Sequence, residues 1–231
     1  MGTVLAGTAT GILIGDRLSE RVRETLFHSL GLVTLLIGLN AGLEAFRPTL
    51  SELTRASLLI VMGSVVLGGI IGEVLGIERG LNRLGDALRD RFAKGQERFT
   101  EGFVIASLVF CVGPLTVLGS IRDGLTGDYQ LLAIKSLLDG FAAVAFASAL
   151  GWGVGFSALV VLVYQGTLTL SASWAAGVFS EAMVAAMTAA GGVLILGIGL
   201  RLLELREIRV ANLLPALVLA PIGIAIVEQL R

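Results

Sequence analysis

The chain has one cysteine, one histidine and few charged residues, and each shortage excludes a class of protein. The single Cys111 excludes an internal disulfide and a cysteine metal cluster, and the single His28 excludes a multi-histidine metal site. Charged residues make up 15% of the 231 residues, whereas soluble domains carry roughly 25%. A net charge of −1 offers no basic face for nucleic acid. A chain with so little charge could not cover its own surface in water.

Apolar residues and glycine take the place of the missing charge. Hydrophobic residues make up 55% of the chain, glycine supplies 31 residues, and the mean hydropathy is +0.89. Surplus glycine is typical of tightly packed membrane helices, because small residues let two backbones approach closely. The sequence therefore predicts an all-α polytopic membrane protein in contact with the lipid bilayer. Charged clusters divide it into about eight transmembrane helices at 3–15, 27–46, 56–75, 102–121, 130–150, 154–172, 182–200 and 210–228.

The placement of these spans in the membrane follows from length and from the positions of Lys and Arg. Span 1 is short, and no Lys or Arg precedes it, so we interpret it as an inserted segment rather than a signal peptide. Twelve basic residues fall in the loops after spans 1, 3 and 7, and four fall on the opposite side. The positive-inside rule then predicts a bacterial inner-membrane protein with a cytoplasmic 77–101 loop and both termini outside. That loop predicts an amphipathic surface helix, with apolar residues at helical spacing: Ile77, Leu81, Leu84, Leu88 and Phe92.

Two stretches of the chain repeat two others. Residues 19–39 align without gaps on 180–200, and 53–75 align on 208–230, with 14 identities in 44 positions. Spans 2 and 3 thus match spans 7 and 8, which lie five spans later in the chain. Because five is an odd number, the two copies cross the membrane in opposite directions. Such inverted-topology repeats are typical of secondary transporters. We interpret 1–231 as one transmembrane domain, with a first repeat at about 1–76, the 77–101 loop, central spans at 102–150 and a second repeat at about 154–231.

Span 4 carries a Gly113-Pro114 pair at its middle. Proline removes a backbone donor and clashes with the preceding turn, so the pair predicts a kinked or broken helix. Thr116, Ser120 or a bound ion could satisfy the carbonyls released there, and the broken helix would line a solute path. A plain proline kink, common in membrane helices, explains the same residues without a site.

Span 5 contains two charged residues, Lys135 and Asp139. Their four-residue spacing places them on one helix face, and charge inside a membrane is costly unless it faces a cavity or another charge. One interpretation is a binding site in which Asp139 takes up a cation or a proton and Lys135 neutralises the empty site. The other is an internal ion pair that only fixes packing.

Further polar residues and the glycines have weaker implications. Asn40 in span 2 and Gln165 in span 6 are candidates for the solute path, although packing between helices explains them as well. Glycines at four-residue spacing favour close helix contacts within one chain or in a homo-oligomer. No metalloprotease, nucleophile-elbow or phosphate-loop motif is present. The sequence therefore predicts neither an enzyme nor a bound metal or cofactor.

Two segments carry a resemblance to a known family: residues 110–128 (FCVGPLTVLGSIRDGLTGD) and residues 135–140 (KSLLDG). Together with residues 2–7, 153–158 and 164–166, they are similar to the bacterial YqgA/YdfK-like family of multi-span membrane proteins. The resemblance covers nearly the whole chain. It implies an inner-membrane protein of a kind described as a transporter, and it implies no substrate and no residue roles.

These features favour a transporter of a small solute or ion, with its path at broken span 4 and span 5. A passive ion channel is one alternative, and a non-transporting scaffold that binds a partner protein or lipid is the other. The residues predicted to bind the solute or ion are Gly113, Pro114, Thr116, Ser120, Lys135, Asp139, Asn40 and Gln165.

Overall fold

The computed structural model describes residues 1–15, 19–46, 54–172 and 180–230, and within these ranges the chain forms helices and no strand. The predicted all-α fold class is confirmed. Short 3-10 turns at Leu43–Phe46 and Val210–Leu213 accompany the α-helices. In the described ranges the α-helices are α1 (Gly2–Gly15), α2 (Glu20–Gly42), α3 (Thr54–Leu75), α4 (Ile77–Phe92), α5 (Phe99–Val112), α6 (Pro114–Thr126), α7 (Gln130–Leu150), α8 (Gly153–Leu170), α9 (Glu181–Leu202) and α10 (Ala216–Gln229).

Six of the described helical segments are long and apolar enough to cross a membrane, and a seventh crossing results if the bent pair α5–α6 counts as one span. These six segments correspond to most or all of α2, α3, α7, α8, α9 and α10. The segment predicted as span 1 forms α1, an apolar helix of 14 residues, which is shorter than the roughly 17–25 residues of a full crossing. The eight predicted spans therefore correspond to six long segments, one bent pair and one short helix.

Some basic residues behind the predicted orientation lie outside the described residues. These are Arg17, Arg47 and Arg231, together with the side chains of Arg23 and Arg55. The placement of the two termini outside the membrane stays a prediction.

The connection between α3 and α4 is a single residue, Gly76. Its φ of +66° is left-handed, a conformation that glycine adopts without the steric cost of a side chain. The chain can therefore leave a membrane-length helix and start another helix at once. Because α4 covers Ile77–Phe92, the predicted amphipathic helix is confirmed.

The described residues group into two compact units, each assembled from two stretches of the chain. The first unit comprises Met1–Leu30 and Arg79–Ala176, and the second comprises Gly31–Glu78 and Gly177–Arg231. The predicted first and second repeats therefore do not correspond to the two units, since each unit takes residues from both.

In the first unit, α1 and α7 run side by side in the same direction. A Cβ added at three α1 glycines would collide with the backbone of α7, so small residues hold the two helices in close contact. These contacts pair Gly7 with Gly140, Gly11 with Val144, and Gly15 with Ser148. A hydrogen bond of 2.8 Å between the hydroxyls of Thr3 and Ser136 continues the same register.

The second unit joins α2 to α9 and α3 to α10, and each pair is antiparallel. Gly31 contacts Leu203 while Gly38 contacts Leu196, so positions along α9 fall as positions along α2 rise. The same reversal relates α3 to α10 and the turn before it, where Gly68 contacts Ala216 and Gly72 contacts Asn212.

Contacts between α2 and α9 are reciprocal with respect to the predicted sequence repeat. The repeat aligns Gly38 with Gly199 and Leu35 with Leu196. Gly38 contacts Leu196, and Gly199 contacts Leu35. Such an exchange of equivalent contacts is the pattern that a two-fold axis produces. In α3 and α10, Gly68 contacts Ala216 while its aligned residue Gly223 contacts Ile60, one residue from the position that strict symmetry requires.

The glycines at four-residue spacing in α1 and α3 make contacts within the chain. Gly7, Gly11 and Gly15 face α7, and Gly68 and Gly72 face Ala216 and Asn212. These faces are therefore occupied in one protomer, and they provide no support for the predicted homo-oligomer.

Substitution of Gly72 by alanine is expected to destabilise the fold, because the added methyl would meet the backbone carbonyl of Asn212. Overpacking of this kind costs about 1–3 kcal/mol, so the melting temperature of the detergent-solubilised protein should fall by several degrees. Gly63→Ala on the same helix is the matched control, since nothing lies within 4 Å of its added Cβ. Equal melting temperatures for the two variants would show that α3 does not pack through Gly72.

Candidate functional site

The first unit contains a helix broken at Gly113. α5 ends at Val112 and α6 begins at Pro114, and the two helices bend by 59°. Gly113 has extended backbone angles, φ −70° and ψ 148°. A proline at the first position of a helix needs no hydrogen bond from its nitrogen, and it disfavours helical geometry in the residue before it. The broken helix predicted from Gly113-Pro114 is therefore confirmed.

Two hydroxyl side chains of α6 are buried beside the break. The Thr116 hydroxyl donates to the carbonyl of Phe110 at 3.2 Å, so it satisfies one of the carbonyls at the end of α5. Its part in binding a solute or ion stays a prediction. Ser120 follows one turn later and is fully buried. Its Oγ has no hydrogen-bond partner among the described residues, although a buried hydroxyl is costly to leave unpaired.

The charged pair of α7 lies on the face that packs against the broken helix. Leu131 and Leu132 contact Gly119 of α6. Further along α7, the ring centroids of Phe146 and Phe110 are 6.3 Å apart. Lys135 and Asp139 follow Leu131 at four-residue spacing and therefore continue the same face. Because they lie between these two contacts, they are placed opposite the break.

Lys135 and Asp139 form a buried ion pair. The Lys135 ammonium donates to Oδ2 of Asp139, and only 7% and 14% of the two side chains are exposed. The predicted common face is confirmed. The two interpretations of the pair, a cation or proton site and a packing pair, both stay predictions.

α8 brings Tyr164 and Gln165 to the same region. Gly153 contacts Phe99 at the start of α5, and Thr169 contacts Gly124 near the end of α6. Tyr164 lies three turns after Gly153, on the same side of α8. Both Tyr164 and Gln165 are half-buried.

Cys111, the residue before Val112 at the end of α5, joins this group. It is half-buried beside the break, and α8, which carries Tyr164, packs against both α5 and α6. Cys111 and Tyr164 were not among the predicted site residues. The sequence offers one clue for each: Cys111 lies two residues before Gly113, and Tyr164 lies next to Gln165. We define the break cluster as Cys111, Thr116, Ser120, Lys135, Asp139 and Tyr164.

Asn40 is exposed on α2 and belongs to the second unit. The other seven predicted residues lie in the first unit, on the broken helix, α7 and α8. Among the described residues, no three His, Cys, Asp or Glu side chains are grouped so that they could hold a metal ion.

A second polar network lies in the second unit, where α3 and α4 meet the segment after α9. Glu78 accepts hydrogen bonds from Arg201 at 3.0 Å and from the backbone N–H of Ala211 at 2.8 Å. Its own backbone N–H donates to Asn212 at 2.7 Å. Asn212 in turn donates to Glu73. All the named groups are paired, so the network fastens a turn and presents no vacant group for a ligand.

Long apolar helices, one of them broken at a proline beside a buried ion pair, define a multi-span helical membrane protein with a polar cluster inside one unit. The chain belongs to the family described as "Protein of unknown function (DUF554)", whose model matches residues 1–225. The resemblance noted in the sequence is thereby confirmed.

Two uncharacterised relatives are similar to the chain over nearly its whole length, and the name of one describes a membrane protein. It is 30% identical over 225 residues to "Uncharacterized membrane protein YdfK" of Bacillus subtilis (strain 168), and the alignment covers 97% of this chain and 93% of that protein. It is 32% identical over 222 residues to "Uncharacterized protein YqgA" of Escherichia coli (strain K12), covering 94% of this chain and 90% of that protein. No solved structure matches the chain.

Proposed function

We propose that the protein moves a small solute or ion across the bacterial inner membrane through a path at the break cluster. The observation that carries the proposal is a membrane-length segment broken at Gly113, with the buried Lys135–Asp139 pair on the helix that packs against the break. Discontinuous helices and buried charges are how membrane transporters build solute sites. The proposal is transport without covalent chemistry, not an enzyme activity.

Chemistry at the break suits a small polar or charged solute. The end of α5 presents backbone carbonyls and the start of α6 presents backbone N–H groups, so opposite partial charges meet at Gly113. Asp139 supplies a carboxylate for a cation or a proton, and Lys135 compensates that carboxylate when the site is empty. Ser120 adds a buried hydroxyl without a partner among the described residues.

Inverted-topology repeats form the second part of the proposal. The antiparallel contacts of α2 with α9 and of α3 with α10, and the reciprocal contacts of Gly38 and Gly199, support it. The predicted orientation, with the α4 loop in the cytoplasm, belongs to the same proposal and rests on the positive-inside count. The homo-oligomer is also only a proposal, without support from the glycine faces.

The test is transport by the purified protein in liposomes. Solid-supported currents would be recorded with a panel of ions, amino acids and organic acids, for the wild type, Asp139→Asn, Lys135→Met and the control Gly63→Ala. We expect a saturable current that is lost in Asp139→Asn and kept in Gly63→Ala. A non-saturating current without ion coupling would indicate a channel. No current from folded, inserted protein on the whole panel would contradict the proposal.

The natural sequence offers a second readout, because Cys111 is its only cysteine and lies at the break. Maleimide labelling of Cys111 would be followed by mass spectrometry with and without the transported solute. We expect the solute to slow labelling in the wild type. Labelling that proceeds at a measurable rate and is unchanged at saturating solute would place the path away from the break, even if transport itself is observed.

A further inference from the structure

The amphipathic helix α4 presents three exposed arginines in one row. Arg79, Arg83 and Arg91 are all exposed, and steps of four and eight residues keep them on one side of a helix. Ala87 occupies the intermediate step of the row. The row runs over about 18 Å, from 1.5 Å of rise per residue. We call these three residues the arginine row.

The acidic residues of α4 form ion pairs with Arg89 and Arg201 and not with the arginine row. Asp86 accepts from the Thr100 hydroxyl at 2.7 Å and pairs with Arg89 at 3.2 Å. Asp90 pairs with the same Arg89 at 3.1 Å. Glu78, at the start of the helix, is held by Arg201. Among the described residues, the arginine row therefore forms no ion pair, and its three side chains are exposed, with Arg91 over the ring of Phe92 at 5.7 Å.

α4 must lie at a boundary between membrane and water. It begins one residue after α3, a membrane-length helix that ends at Leu75, and it precedes the bent pair that starts at Phe99. Beside the arginine row lies the apolar residue Leu84, which is 48% exposed. A helix with this pattern lies in the interface, with its apolar side toward the acyl chains and its basic side at the headgroups.

We propose that the arginine row binds the phosphate groups of anionic phospholipids. Guanidinium groups bind phosphate oxygens in a bidentate manner, and the exposed leucine beside the row gives the acyl chain an apolar neighbour. A soluble anion would gain nothing from that apolar neighbour, so the expected occupant is a lipid. The proposal is independent of transport, because it concerns a helix outside the break cluster.

The test is lipid binding to the full-length, detergent-solubilised protein by native mass spectrometry. Phosphatidylglycerol and phosphatidylcholine with identical acyl chains would be titrated against the wild type and against Arg79→Gln/Arg83→Gln/Arg91→Gln. One arginine near an anionic lipid surface contributes about 1 kcal/mol, a factor of about five. We therefore expect the triple variant to lose roughly a hundredfold in affinity for phosphatidylglycerol, with little change for phosphatidylcholine.

Two matched variants separate a site from bulk charge and from misfolding. Arg21→Gln/Arg122→Gln/Arg206→Gln removes the same charge from exposed residues outside α4 and should bind phosphatidylglycerol as the wild type does. Arg79→Lys/Arg83→Lys/Arg91→Lys keeps the charge but not the bidentate geometry, so its affinity for phosphatidylglycerol should fall between those of the wild type and the glutamine variant of the row. Equal losses in the two glutamine variants would overturn the proposal, as would displacement of the lipid by inorganic phosphate at the same concentration or unchanged binding by the row variant.

Discussion

Replacing Glu78 with alanine is expected to lower the free energy of unfolding by about 3–5 kcal/mol, the usual cost of removing one partner from a buried ion pair. Only 8% of the Glu78 side chain and 24% of the Arg201 side chain are exposed. The substitution leaves the guanidinium without its carboxylate and the backbone N–H of Ala211 without its acceptor. Urea titration of the detergent-solubilised protein, followed by circular dichroism, would measure the loss.

Asp90→Ala is the control for this change, because Asp90 lies on the same helix and pairs with Arg89 in an exposed position. Exposed pairs contribute about 0–1 kcal/mol, so the control should stay close to the wild type. Glu78→Ala/Arg201→Met removes both charges and should recover part of the stability lost in Glu78→Ala. Similar stabilities of the Glu78 and Asp90 variants would mean that the Glu78 network does not fasten this turn.

Much of the fold could be predicted from the sequence because hydrophobic length and proline act locally. Each of the predicted spans coincides with a helix or with the bent pair, and Gly113-Pro114 breaks the chain where its stereochemistry requires it. Whether α1 crosses the membrane is not a local property, since an apolar helix of 14 residues can be a short span or a buried segment. The division into two units depends on contacts between distant stretches, which no single segment encodes.

The site was predictable to the extent that its residues break a local rule. Lys135 and Asp139 are conspicuous because charge is costly in an apolar helix, and Thr116 because it follows a proline. Cys111 and Tyr164 are unremarkable in an apolar helix. Cys111 is at the break because it lies two residues before Gly113, whereas Tyr164 reaches this region only through the packing of α8. Glu78 was not predictable from the sequence for the opposite reason. A glutamate in a charged amphipathic segment is expected to be exposed to solvent, although the fold buries this one against Arg201.

The proposed function assigns different roles to the two units. Contacts between α2 and α9 are reciprocal and involve glycines, and the Glu78 network of the second unit is paired. The first unit contains the break and the buried Ser120, whose hydroxyl has no partner among the described residues. Rigid, well-satisfied packing suits a scaffold, and unsatisfied polar groups suit a solute site. This division follows from the proposed function and predicts that transport defects without a loss of stability arise from the first unit.

The variant that best separates a binding site from a packing pair exchanges the two charges, Lys135→Asp/Asp139→Lys. The exchange keeps an ion pair at four-residue spacing, whereas Asp139→Asn alone leaves a buried ammonium unpaired, at a cost of about 3–5 kcal/mol. We expect the exchanged variant to approach wild-type thermal stability, while its current in liposomes falls to that of protein-free liposomes, because the carboxylate has moved one turn along α7.

Lys135→Met/Asp139→Asn completes the comparison by removing both charges with little change in volume. Replacement of a buried pair by uncharged groups of similar size is often neutral for stability, so this variant should also fold, and it should also fail to transport. The measurements are the melting temperature and the initial current at saturating solute, for both double variants beside the wild type. Wild-type transport by either double variant would show that Lys135 and Asp139 only pack α7 against the broken helix. In that case the solute would be bound by the backbone at Gly113 and the hydroxyls of α6, without a charged side chain.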